Sequence, residues 1–307
     1  MVKKYIELPL NFLDIEEYVI AGATEAVDAF FAGNNYFFYD TCSILHHSNL
    51  AKRKAVIDYF KSKSATIIIT RTVLMELSAN SFKVHGVQIQ YFKEMFESGL
   101  KIIIFNEELI FDCLKEALSI SNEDANKLLG YAAKEISKTK SKTYEILMSM
   151  DQALSNKLKG QNPGNKELFS TFFKYARSLK TEGDSLAEEL MLVCIVVLSR
   201  IPIGRYILVS DDFRIRHQVI SVKDYTARHH KKSEPYQLTT ASLAFRMYKD
   251  SVITTRGELL DLIQCVSKDS IPVYFVGECD INQEKGILRC EDLVDRIMNE
   301  KEFRIIY

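Results

Sequence analysis

Apolar and polar positions along this chain follow three successive rhythms, and the changes between them mark out the expected domains. Ile15, Val19, Ala23, Val27 and Phe31 recur every fourth position, which predicts a helix over 14–32 ended by Gly33-Asn34-Asn35. Tyr36-Phe37-Phe38-Tyr39, Thr66-Ile67-Ile68-Ile69-Thr70, Lys101-Ile102-Ile103-Ile104-Phe105 and Tyr206-Ile207-Leu208-Val209 are short apolar runs without alternation. Such runs suit strands covered on both faces of a parallel sheet. Helical spacing at about 49–61, 71–77 and 185–199 lies between them, and Tyr236 to Thr240 followed by 241–249 offers a further strand and helix. Strands alternating with helices indicate an α/β domain built from 35–106 and 183–250, preceded by an N-terminal helical segment at 1–34. Residues 107–182 read as helices only, at roughly 107–119, 122–138, 143–158 and 165–180, with Gln161-Asn162-Pro163-Gly164-Asn165 as a breaker; we read them as a helical insertion. Residues 251–307 read as a small α+β extension, with a helix near 256–267, strands at Pro272–Val276 and Ile287–Cys290, a helix at 291–300 and a strand at Phe303–Tyr307.

Composition adds bounds. The chain has 307 residues, 47% of them hydrophobic, so it can build a sizeable core. A net charge of −1 gives no overall field toward nucleic acid or membrane, and local patches must supply any such attraction. The six cysteines form no CxxC pair, which reads as reduced thiols rather than a disulfide or zinc framework. The first residues lack an uninterrupted apolar stretch, and the longest apolar run, Leu190 to Leu198, is half a membrane span. The expectation is a cytoplasmic protein without membrane contact.

Acidic residues then change the picture. Asp40 closes the first strand, Glu76 lies about one and a half helical turns past the second, Asp184 and Glu188 open the long apolar helix, and Asp211-Asp212 follow the fourth strand. Strand C-termini and the helix starts that follow them share one edge of an open parallel sheet, so these carboxylates are expected to converge there. Like charges about 4 Å apart repel by roughly 4 kcal/mol at an effective dielectric near 20. Protons or a cation must therefore neutralise the cluster, and oxygen ligands without His or Cys suit Mg²⁺ or Mn²⁺. Such ions activate water for in-line hydrolysis of a phosphodiester.

Asp40-Thr41-Cys42-Ser43, Glu76 within Thr72-Val73-Leu74-Met75-Glu76-Leu77, Gly183-Asp184-Ser185 and Ser210-Asp211-Asp212-Phe213, in that order, resemble the PIN-domain nuclease family. The resemblance covers about 35–250, interrupted by the insertion. It implies a Rossmann-like parallel sheet, Mg²⁺ or Mn²⁺, and an endoribonuclease with Asp40, Glu76, Asp184 and Asp212 as catalytic carboxylates. The Ser-x-Asp pattern favours Asp212 over Asp211 in the metal position, and the third acid stays open among Asp184, Glu188 and Glu189. The set of possible metal ligands is thus Asp40, Glu76, Asp184, Glu188, Asp211 and Asp212.

On the substrate side, Thr41 and Ser210 are expected to hold Asp40 and Asp212 through their hydroxyls. Arg214, Arg216, Lys223 and Arg228 belong to a basic segment, 214–232, that would meet the phosphate backbone, and Tyr225 would stack a base. Lysines 134, 138, 140, 142, 157 and 159 would extend that groove. His46 and His47 read as surface loop residues. RNA is the expected partner, and DNA, an inhibitory protein or a second copy of the chain are compatible. The alternatives are a non-catalytic RNA- or protein-binding scaffold and a structure-selective DNA nuclease. A receiver-type phosphoacceptor would leave Glu76 and the Asp184 site unexplained.

Overall fold

The computed structural model describes residues 5–137, 141–159, 166–230, 234–276 and 284–306. Five strands, β1 (Asn35–Tyr39), β2 (Ala65–Thr70), β3 (Lys101–Phe105), β4 (Arg205–Val209) and β5 (Tyr236–Leu238), form one all-parallel sheet in the order β3-β2-β1-β4-β5. The order is consistent with a Rossmann-like sheet. The chain steps outward on one side of β1 and then crosses to the other, so the reversal point lies between β1 and β4. Phe37, Phe38, Ile67, Ile68, Ile69, Ile103 and Leu208 are buried because helices cover both faces, which is why these runs do not alternate. The Leu186–Leu198 helix is apolar around its whole circumference and buried throughout.

Helices fill the described part of 107–182, namely Ile110–Ala117, Asn122–Ile136, Lys142–Ser149, Gln152–Leu158 and Lys166–Ser178. Ile110–Ala117, Asn122–Ile136 and Lys142–Ser149 pack on the Leu186–Leu198 helix, the other two pack on Asn122–Ile136, and all share one hydrophobic core with the sheet. The expected helix at 143–158 is two helices. Asp151 accepts a hydrogen bond from the Leu154 N–H at 2.7 Å and starts a new helix there. The tail folds as a three-stranded antiparallel sheet of β6 (Ser270–Val276), β7 (Glu284–Arg289) and β8 (Arg304–Ile305), with helices Arg256–Gln264 and Cys290–Asn299. No helix among the described residues is long and apolar enough to cross a membrane.

Several local expectations are corrected. The N-terminal helix is split into Leu13–Glu16 and Ala23–Phe31, because Ile20 between them extends the sheet, bonding Ile102 O and Ile104 N at 2.8 and 2.9 Å. The residues after Asp40 form a helix, Thr41–Ser48, and the next helix starts later than expected, at Lys54. Gly86–Glu97 is a further helix. The basic segment after β4 is also helical, over Arg216–His230. The Gln161–Asn165 breaker, Lys138, Lys140, Lys231, Lys232, Cys279 and Tyr307 lie outside the described residues.

His47 is fully buried rather than on a surface loop. Its ring joins the Tyr39 hydroxyl of β1 to the Thr240 hydroxyl, the latter at 2.9 Å, and burial lowers its pKa to about 4. The folded chain therefore keeps this imidazole neutral while the unfolded chain takes up a proton near pH 6.5. Stability is present above that pH and drains away as pH falls toward 4. Between about pH 7 and 4.5, urea titrations should show wild type losing about 2 kcal/mol more than a His47→Gln variant. Parallel pH profiles for the two proteins would contradict the assignment.

Candidate active site

The carboxyl edge of the sheet gathers its acids at the reversal point. The Asp40 N–H bonds to the Val209 carbonyl of β4 at 3.0 Å, so the residues that follow β1 and β4 sit side by side. A cleft of about 240 Å³ opens there, lined among others by Asp40, Thr41, Cys42, Glu76, Lys180, Asp184, Glu188 and Arg214. Carboxylates from three separate stretches of the chain share this wall, and Asp212 from a fourth lies behind Arg214. The edge of an open parallel sheet at a strand-order reversal is where such folds hold their ligands.

Each acid is used differently. Asp40 is 1% exposed; its Oδ2 accepts from the Ser210 hydroxyl at 3.1 Å and the Cys42 thiol at 2.7 Å, while its Oδ1 has no hydrogen-bond partner. Burial, then the charge of Glu76, pushes its pKa up to about 7. Glu188 is 6% exposed, and its Oε2 is likewise without a partner. Burial, followed by the charges of Asp40 and Glu76, pushes it up to about 10. Glu76 accepts from the Thr41 hydroxyl and lies 2.7 Å from the Lys180 ammonium, which also contacts Asp184.

Asp184 is held further by the Thr181 N–H and hydroxyl at 2.6 and 2.8 Å and by the Leu186 N–H at 3.1 Å. The turn that brings it over Lys180 passes through Gly183 at φ 75°, a conformation that favours glycine. Burial opposes ionisation of Asp184, but Lys180 and Thr181 hold its pKa below the usual carboxyl value. Asp212 is clamped by Arg214, whose Nε and Nη2 reach its oxygens at 2.6 to 3.0 Å and whose Nη1 donates to the Gly183 carbonyl at 2.9 Å.

Two further carboxylates serve the fold. Asp211 accepts from the Thr240 N–H and hydroxyl at 2.6 and 2.7 Å, from Ser43 at 3.2 Å, and lies 3.0 Å from His46 Nδ1. Burial opposes its charge, yet these partners keep its pKa low. Glu189 accepts from Ser185 at 2.6 Å and from the Lys142 and Thr143 N–H groups at 3.1 and 2.7 Å, fastening the start of the Lys142–Ser149 helix.

The internal cations were not foreseen. Lys180, whose side chain is 2% exposed, answers the repulsion between Glu76 and Asp184, a task expected of a metal. Burial alone would lower its pKa; Glu76 and Asp184 outweigh that and hold it above the usual lysine value. Its spacing from Asp184, four residues, was the available signal.

Among the predicted substrate contacts, Ser210 donates to Asp40 and accepts from the Asp212 N–H at 3.1 Å, whereas Thr41 serves Glu76. Arg214 lines the cleft; Arg216, Lys223 and Arg228 do not. The Arg216 guanidinium lies buried over the Tyr274 ring at 3.1 Å, Lys223 pairs with Glu234 at 2.9 Å, and Arg228 donates to the Asp224 carbonyl at 3.0 Å. The Tyr225 ring packs against His229 with centroids 4.5 Å apart. Lys134, Lys142, Lys157 and Lys159 also lie away from the cleft.

Among the described residues, no three His, Cys, Asp or Glu side chains converge closely enough to hold an ion by themselves. Mg²⁺ and Mn²⁺ ask for less, since one or two carboxylates and several waters suffice for Mg²⁺. The unpartnered buried oxygens of Asp40 and Glu188, on one cleft, fit that requirement.

No protein-family model, curated protein or solved structure matches this chain. The geometry predicts opposite signs for two similar substitutions in metal-free buffer. Asp40 is raised above its unfolded pKa, so its charge destabilises the fold as pH rises through about 7; Asp40→Asn should stabilise the protein above that pH, by up to about 4 kcal/mol. Asp211→Asn should destabilise it by about 1–3 kcal/mol, because it disrupts a saturated buried carboxylate. Denaturant titrations at pH 8 check both, and equal signs would contradict the division.

Proposed function

We propose that this chain is a metal-dependent, PIN-like nuclease that hydrolyses phosphodiester bonds of RNA, with Asp40 and Glu188 holding Mg²⁺ or Mn²⁺. The observation that carries this reading is the pair of unpartnered buried oxygens, Asp40 Oδ1 and Glu188 Oε2, on one cleft at the carboxyl edge of the sheet. A protein keeps a buried carboxylate oxygen without a donor at appreciable cost, and a cation is the ligand that removes it. When bound, a divalent ion acidifies water and supplies Lewis acidity to the phosphoryl group.

The remaining residues orient the site. Ser210 and Cys42 fix Asp40 from its Oδ2 side and leave Oδ1 without a donor, so that it would be the oxygen to hold an ion. Lys180 pairs with Glu76 and Asp184, and Arg214 with Asp212, which offsets the repulsion among these acids. Arg214, 65% exposed at the lip, is placed to meet an incoming phosphate. Hydrolysis adds the water oxygen to phosphorus, breaks the bond to the leaving oxygen and delivers the water proton to that oxygen. The choice of RNA rests on the family resemblance, as does the description of 107–182 as an insertion into a PIN-like domain.

One observation favours a second reading, a scaffold that binds RNA or protein without cutting. Glu76 and Asp184, two of the four cleft carboxylates, are already matched by Lys180, and the neighbouring Asp212 by Arg214. Mn²⁺-dependent cleavage of mixed-sequence single-stranded RNA, beside matched DNA, separates the readings. Wild type should cut RNA, and Asp40→Asn and Glu188→Gln should each lose on the order of 10²-fold or more in rate. Variants that cut as fast as wild type would remove the proposed site. Failure of folded wild type to cut either polymer would favour the scaffold, and faster cutting of DNA would favour the DNA nuclease.

A further inference from the structure

Five carboxyls, Asp40, Glu76, Asp184, Glu188 and Asp212, meet at this edge, and a set of that size would ordinarily hold two divalent ions. One of the positions between them is already filled. The Lys180 ammonium lies 2.7 Å from Glu76 Oε1 and also contacts Asp184 Oδ1. It has further carbonyl neighbours in Thr181 and Asp184 at 3.2 and 3.4 Å, and the Tyr5 ring at 5.4 Å. A Mg²⁺ ion sits about 2.1 Å from its oxygen ligands. No ion can occupy that distance from both carboxylates while an ammonium already does. The free oxygens lie elsewhere, on Asp40 and Glu188.

The Lys180 position is also fixed from behind. Three residues earlier, Arg177 is 2% exposed and donates to Glu107 Oε2 at 2.8 Å and to Glu7 at 3.0 Å. Glu107 in turn accepts from the N–H and hydroxyl of Thr72, at 2.9 and 2.6 Å, on the helix that carries Glu76. Lysine and acid are thus held in register by a buried network.

We propose that Lys180 is a resident cation standing in for the second metal ion, so that the site takes a single divalent ion at Asp40 and Glu188. This rests on the metal-dependent reading above.

The test is Mn²⁺ stoichiometry, read from free Mn²⁺ by electron paramagnetic resonance on the full chain without substrate. Wild type should bind one ion, Lys180→Met two, and Lys180→Arg one. A Lys180→Met protein that binds no more ions than wild type overturns the inference. Wild type binding none while Lys180→Met binds one would sustain the role of Lys180 and refute the ion at Asp40 and Glu188. Should Lys180→Met fail to fold, anomalous scattering from Mn²⁺-soaked wild-type crystals decides. One peak beside Asp40 with the lysine still between Glu76 and Asp184 agrees; a peak between those two acids with the lysine displaced does not.

Discussion

Like charges forced together at one sheet edge are the constraint from which the rest of this site follows. Parallel pairing of β1 with β2 and β4 leaves no freedom in where Asp40, the Glu76 helix and Ser210 end up. The fold must then answer each carboxylate or bear its repulsion. It answers Glu76 and Asp184 with Lys180, and Asp212 with Arg214. It answers Asp211 and Glu189 with backbone and hydroxyl donors. Asp40 and Glu188 each retain an oxygen with nothing to meet it. The proposed function rests on that remainder.

Residues far from the cleft serve the same end. Three helices of 107–182 pack on the Leu186–Leu198 helix, whose first turn carries Glu188 and Glu189. Glu189 faces those helices and fastens one of them, while its neighbour Glu188 faces the cleft. Adjacent residues on a helix point about 100° apart, so one position builds the fold and the next builds the site. Arg177, Glu107 and Thr72 tie the last of these helices to the helix that carries Glu76, which holds Lys180 and Glu76 in register.

The sheet was legible because its strands are unalternating β-branched or aromatic runs, a pattern set by burial on both faces. The acidic edge was legible for the same reason, since Asp40 and Asp211-Asp212 directly follow such runs. Which acids are free was not legible, because Asp211 is saturated by Ser43 and Thr240, residues distant in sequence. Helical spacing at 14–32 hid the break at Ile20, whose backbone bonds to β3 outweigh continued helix. That Arg216 of the basic segment packs on Tyr274 of the tail, away from the cleft, was not legible, because charge alone does not reveal such a contact. Lys180 was overlooked because a lysine four residues before an aspartate ordinarily marks a solvated helix pair.

The central claim is that a divalent ion answers the charge left on Asp40 and Glu188. Melting temperature against Mn²⁺ concentration tests it most directly, since an ion that binds the folded chain alone must stabilise it. The account predicts a wild-type melting temperature that climbs with the logarithm of Mn²⁺ concentration, and a flat response from the Asp40→Asn/Glu188→Gln double variant. Equal slopes for the two proteins, or no rise in either, would contradict it.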